Sequence, residues 1–86
     1  MDRIVDFVFN YGGTGDADQD GCNFFEKMDR ALPDAVYRDQ LLAAGWNTNT
    51  RIMTVTLFEE GFEYVPAVRK YLADAGVSFE ETEGTL

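Results

Sequence analysis

At 86 residues, with 45% hydrophobic and 14% aromatic residues and only two prolines, the chain has the composition of a single acidic globular domain spanning residues 1–86. A chain this short buries only roughly 60–65% of its unfolded surface, so its core must be compact. Sixteen acidic residues against seven basic ones, with no histidine, give a formal charge of −9. That balance repels nucleic-acid phosphates and anionic membranes and favours basic protein surfaces or cations, so neither direct nucleic-acid binding nor membrane binding is expected.

The only cysteine, Cys22, excludes an internal disulfide, a multi-cysteine zinc site and a two-cysteine redox motif, which fits a reducing, cytoplasmic setting. The first residues show no basic region followed by an apolar run of signal-peptide length. Nor does any stretch approach about 18 apolar residues, so targeting and membrane insertion are not expected.

Taken in order, Arg3 to Tyr11 reads as a strand, because Val5, Phe7, Phe9 and Tyr11 alternate with a mixed set that includes Asp6 and Asn10. An acidic, glycine-rich loop from Gly12 to Gly21 follows. The spacing of Phe24, Phe25, Met28 and Leu32 predicts a helix over Cys22 to Leu32, with Asp20 as its N-terminal cap and Pro33 as its stop. Asp34 to Ala44 is ambiguous: Val36, Tyr37, Gln40, Leu41 and Ala44 fit helical spacing, whereas the turn formers Asn47 to Thr50 that follow favour a strand entering a hairpin.

Arg51 to Glu59 is a strand with Met53, Val55 and Leu57 on one face and Thr54 and Thr56 on the other. Glu59-Glu60-Gly61 reads as a turn. A helix then runs from about Tyr64 to Ala75, with Pro66 in its first turn and Gly76 at the position of a left-handed C-terminal cap. Val77 to Glu81 makes a short last strand, and Glu83 to Leu86 is expected to fray. The sequence of elements predicts an α+β ferredoxin-like plait, strand-helix-strand-strand-helix-strand, with an antiparallel sheet and helices on one face. If Asp34 to Ala44 is helical, the alternative is three strands with three helices.

The sharpest local pattern is Asp16-Ala17-Asp18-Gln19-Asp20-Gly21 followed by Glu26, which resembles the start of an EF-hand calcium loop. The resemblance implies calcium held by Asp16, Asp18, Asp20 and Glu26. It covers the first half only: the closing acid of the family stands at the twelfth position, here Lys27, and a strand precedes the loop. Gly12-Gly13-Thr14-Gly15 lacks the lysine of a P-loop and is followed at once by three aspartates. Cys22 has no histidine to activate it. No catalytic residue and no cofactor is expected, and the chain is not expected to be an enzyme.

What remains is the distribution of charge. The plait is expected to bring Asp2, Glu59, Glu60, Glu63, Glu80, Glu81 and Glu83 to one end of the sheet and to leave Asp16, Asp18 and Asp20 at the other. Two acidic poles suit a non-enzymatic interaction or inhibitor protein that covers the basic surface of a partner, such as a nuclease or a nucleic-acid-binding complex. In size and acidity the chain is similar to phage-encoded inhibitors such as anti-CRISPR proteins and DNA mimics, and to immunity proteins. The rival expectations are a calcium-binding module and a small ligand-binding or enzymatic plait of the kind that dimerises through its open sheet face, although Thr54 and Thr56 on that face argue against a buried dimer; a partner indifferent to charge would instead point to the open face around Thr54, Thr56 and Trp46. Both monomer and homodimer are compatible with the sequence.

Overall fold

The computed structural model describes residues 2–86. Over these residues the chain forms β1 (Arg3–Asn10), α1 (Ala17–Ala31), α2 (Asp34–Arg38), β2 (Leu42–Asn47), β3 (Ile52–Phe58), a 3-10 turn (Glu59–Tyr64), α3 (Val65–Asp74) and β4 (Phe79–Thr85). The strands make one antiparallel sheet in the order β2-β3-β1-β4.

Register explains the core. Val5, Phe7 and Phe9 of β1 stand opposite Leu57, Val55 and Met53 of β3. Directly opposed residues project to the same face, so these six form one apolar layer, and all are buried. Met28 and Leu32 of α1, Val36 of α2, and Val65, Val68 and Leu72 of α3 complete the cluster. The other face carries Ile4, Val8, Thr54 and Thr56, which stay half-buried. Thr54 and Thr56 therefore face away from Met53, Val55 and Leu57 as the alternation predicts.

Three boundaries differ from expectation. Helix α1 begins at Ala17, not Cys22, because Asp16 rather than Asp20 caps it: Asp16 is extended (φ −63°, ψ 124°) and its carboxylate accepts the Gln19 N–H. The ambiguous segment holds both a helix and a strand. It divides at Gln40, whose φ of 52° is left-handed, with the Gln40 N–H donating to Tyr37 C=O and the Leu41 N–H to Val36 C=O, the bond pair of a Schellman cap. The hairpin loop accordingly runs from Thr48 to Arg51, closed by Asn47 opposite Ile52. At the C-terminus, β4 pairs as far as Thr85 opposite Arg3, and the Leu86 N–H donates to Asp2 C=O at 2.9 Å. The expected frayed tail is thus a strand, held by backbone pairing that side-chain alternation does not reveal.

The early start of α1 places Gly21 inside a helix, where it has a steric purpose. A Cβ there would lie 2.5 Å from Nε1 and 2.6 Å from Cδ1 of Trp46. Replacing Gly21 with alanine gains about 1 kcal/mol of helix propensity. Against that gain stands an overpacking cost of about 1–3 kcal/mol, since an indole ring has little freedom to retreat. We expect Gly21→Ala to lower the urea midpoint and to alter Trp46 fluorescence. A raised midpoint would show that the ring has room to move.

Candidate interaction surface

The two acidic groups foreseen in the sequence have different fates. Asp16 is the cap of α1. Asp18 accepts a hydrogen bond from the Trp46 Nε1–H at 3.2 Å. Asp20, half-buried, is paired with Arg51 at 2.7 Å and also accepts the Gly15 N–H at 3.1 Å. The same guanidinium donates to the Gly12 carbonyl at 2.8 Å and the Gly15 carbonyl at 2.6 Å. Arg51 thus clamps the β1–α1 loop to the β2–β3 hairpin, and the Tyr11 N–H donating to Arg51 C=O at 3.0 Å closes the joint from the backbone side.

The three aspartate side chains turn to different partners. The three aspartates face a helix N-terminus, an indole and a guanidinium, and Glu26 lies further along α1 beside the Cys22 thiol, at 3.7 Å from its sulfur. Among the described residues, no group of three or more histidine, cysteine, aspartate or glutamate side chains could hold a metal ion. The Cys22 thiol pKa is raised above its ordinary value, first by desolvation and then by the Glu26 carboxylate, which leaves little thiolate at neutral pH.

The opposite end of the sheet is where exposed acid gathers. Phe58, the last residue of β3, stands opposite Ile4 near the start of β1, so the 3-10 turn that follows β3 emerges beside Asp2. Glu59, Glu60 and Glu63 are exposed on this turn, and among the described residues none forms a salt bridge. With three residues per turn, Glu60 and Glu63 share a side.

The ridge is held rigidly from beneath. Gly61 is buried, and a Cβ on it would lie 2.9 Å from the Leu41 Cβ, so only glycine lets the turn sit flush on the core. Val65 is buried, and Phe62 packs on the core with the Arg3 guanidinium 5.4 Å above its ring. Glu83 is on the same end but pairs with Arg3 at 3.7 Å.

Two of the acids assigned to this pole from the sequence belong elsewhere, because β4 runs on past the expected end and shifts them up the sheet. Glu81 stands opposite Phe7 on the helix side and makes a bidentate pair with Arg69, both contacts 2.6 Å; that hydrogen bonding holds its carboxyl below the usual range. Glu80 stands opposite Val8 on the open face, where it lines a shallow cleft with Val8, Ile52 and Phe79. Trp46 is also displaced from expectation. Its register opposite Met53 turns it to the helix side, where it packs beside Phe25 rather than on the open face.

In the sequence Arg51 reads only as the first residue of a strand, and nothing local marks it as a clamp. A lone arginine after four turn-forming residues carries no pattern that names its partner. Compared with protein-family models, curated proteins and solved structures, the chain finds no match in any of the three. Among the described residues, no helix is long and apolar enough to cross a membrane.

Proposed function

We propose that this protein is a non-enzymatic interaction or inhibitor protein that covers a basic, nucleic-acid-binding surface of a partner such as a nuclease, in the manner of a DNA mimic or anti-CRISPR-like inhibitor. The reading is carried by the ridge of Glu59, Glu60 and Glu63, exposed, in no salt bridge among the described residues and anchored through Gly61, Phe62 and Val65. Five of the seven basic side chains already pair with an acid of the same chain, so the excess carboxylates seek their cations elsewhere. A preorganised acidic surface gains association rate and specificity toward a basic partner without first ordering its own side-chain support. Asp16, Asp18 and Asp20 already serve the α1 joint, which favours the ridge as the contact surface. The single cysteine suits a reducing, cytoplasmic setting.

We infer that the scaffold behind the ridge is a ferredoxin-like plait with an added short helix and 3-10 turn. In support, each strand-helix-strand crossover, β1 to β2 and β3 to β4, passes over the one strand lying between its ends.

Capture from a native lysate with mass spectrometry, in about 0.05 M and about 0.5 M salt, tests the reading, because screening shortens the Debye length from over 10 Å to under 5 Å across that range. The wild-type chain is expected to retain a basic partner at low salt and to lose most of it at high salt. The Glu59→Lys, Glu60→Lys, Glu63→Lys variant should fold normally and capture none. A partner held equally by wild type and variant, at either salt, would remove the acidic-ridge mechanism.

A further inference from the structure

The sheet has two free edges, and they are guarded differently. The β4 edge carries Glu80, Glu81 and Glu83 within seven residues, and charge on an edge strand deters pairing with another chain. The β2 edge, Leu-Ala-Ala-Gly-Trp-Asn, has no charge, no proline and no bulge. On a chain of net charge −9 it is a neutral, unprotected strand.

The backbone pattern shows what that edge offers. The Phe58 N–H donates to Leu41 C=O at 2.9 Å. Antiparallel ladders alternate, so Ala43 and Gly45 turn their backbone groups toward β3, and Leu42, Ala44 and Trp46 turn theirs to the free side. The exposed side chains of this strand are small or polar, namely Ala43, Gly45 and Asn47, and present no obstacle to a neighbouring strand.

We propose that β2 is a homotypic docking edge, at which a second copy of this chain pairs antiparallel about a twofold axis through Ala44, joining two four-stranded sheets into one of eight strands. In that register the Leu42 of one copy stands beside Trp46 of the other, twice, and Ala44 faces Ala44. Leu42 and Trp46 are both half-buried apolar side chains on the helix side, so each covers what the other leaves exposed.

Charge selects the direction. Leu41, just before β2, touches Gly61 of the 3-10 turn, so the Glu59–Glu63 ridge sits at the N-terminal end of the edge. At the other end lies the uncharged run Asn47-Thr48-Asn49-Thr50. Antiparallel pairing keeps the two ridges at opposite ends of the joint, each toward the end where Asp18 already bonds Trp46, whereas parallel pairing would set ridge directly against ridge. The occupant follows from the Leu42–Trp46 match, which a second copy of this chain satisfies twice.

The salt response is opposite in sign to that of the ridge. Two chains of like net charge repel at long range, and salt screens that repulsion while leaving backbone pairing and apolar contact in place. Sedimentation equilibrium of the full chain is expected to show a monomer–dimer equilibrium whose association tightens by about threefold or more from roughly 0.05 to 0.5 M NaCl. Ala44→Pro removes an N–H that points away from β3, so the monomer should fold and the dimer should be lost. Ala43→Glu, an exposed change that charges the edge, should give the same loss, and it keeps the test decisive should the proline variant fail to fold. Ile52→Lys on the open sheet face should leave association unchanged. A chain that stays monomeric to about 1 mM at both salts is outside even the weak range of specific interfaces and would overturn the proposal. So would a dimer that survives both edge variants, or one dissolved by Ile52→Lys instead. None of these outcomes bears on the ridge, whose partner binding weakens with salt.

Discussion

Truncating Phe7 to alanine is expected to lower folding stability by about 3–5 kcal/mol, the range for phenylalanine removed from a packed core. Phe7 is fully buried at the centre of the sheet, opposite Val55 on one side and Glu81 on the other, with its ring centroid 5.9 Å from that of Phe79. It is the largest of the fully buried side chains, and the cavity it leaves would be walled by strands whose positions are fixed by pairing on both sides. Collapse around it is therefore limited, which puts the cost toward the upper end. A domain of this size has on the order of 5–15 kcal/mol in total, so the variant should melt well over 10 °C lower. Thr54→Ala, on the half-buried open face, should cost under about 1 kcal/mol. Urea denaturation of the two variants measures both. Equal losses would mean that the register opposite Val8, which turns Thr54 away from the core, is misplaced.

The strands were legible where side chains alternate and illegible where only the backbone pairs. Met53-Thr54-Val55-Thr56-Leu57 declares its faces, and the burial follows that alternation residue by residue. Beyond Phe79, Glu81 and Glu83 occupy the core-side register but remain outside the apolar layer, so no apolar period announces β4 past its first turn of pairing.

Helix ends make the same point twice over. Both α2 and α3 finish in the same bond pair: Gly76 N–H to Ala73 C=O with Val77 N–H to Leu72 C=O closes α3, as the Gln40 and Leu41 bonds close α2. Gly76 (φ 73°) advertises its left-handed conformation, so that end was foreseen. Gln40 adopts the same conformation without the residue type that signals it, so the helix-to-strand division was not.

Of the candidate site, the acids of the 3-10 turn were foreseen from their local clustering. The fates of Asp18 and Asp20 were not, because Trp46 and Arg51 approach them from 28 and 31 residues away in sequence. Local spacing at Asp16 to Asp20 resembled a metal loop, but the partners that hold Asp18 and Asp20 are long-range and invisible to local spacing.

The joint that Arg51 makes with Asp20 yields the second large effect. Arg51→Ala removes the donors to the Gly12 and Gly15 carbonyls and leaves the Asp20 carboxylate without its cation. Hydrogen bonds to charged groups contribute roughly 1.5–3 kcal/mol in such settings. The side chains are 24% and 26% exposed, so water partly screens the pair and the expected loss is about 2–3 kcal/mol rather than the larger cost of breaking a fully buried pair. Arg51 also carries a left-handed φ of 58°, which disfavours any residue with a Cβ by about 1–2 kcal/mol relative to glycine. Arg51→Gly should therefore be less damaging than Arg51→Ala by about 1 kcal/mol, because it loses the same bonds and relieves the backbone. Asp20→Asn keeps an acceptor for the Gly15 N–H but removes the charge. Combined with Arg51→Ala it should cost less than the sum of the single changes by about 1–2 kcal/mol, the coupling of groups in direct contact. Denaturant titration of the four chains in that cycle measures the coupling, and amide exchange at residues 12–16 should quicken in every variant lacking the guanidinium. Strict additivity, with exchange in the loop unchanged, would mean that the Tyr11–Arg51 backbone bond, the Tyr11 hydroxyl on the Ala17 carbonyl and the Asp16 cap hold the loop, and that the Arg51 side chain is a bystander.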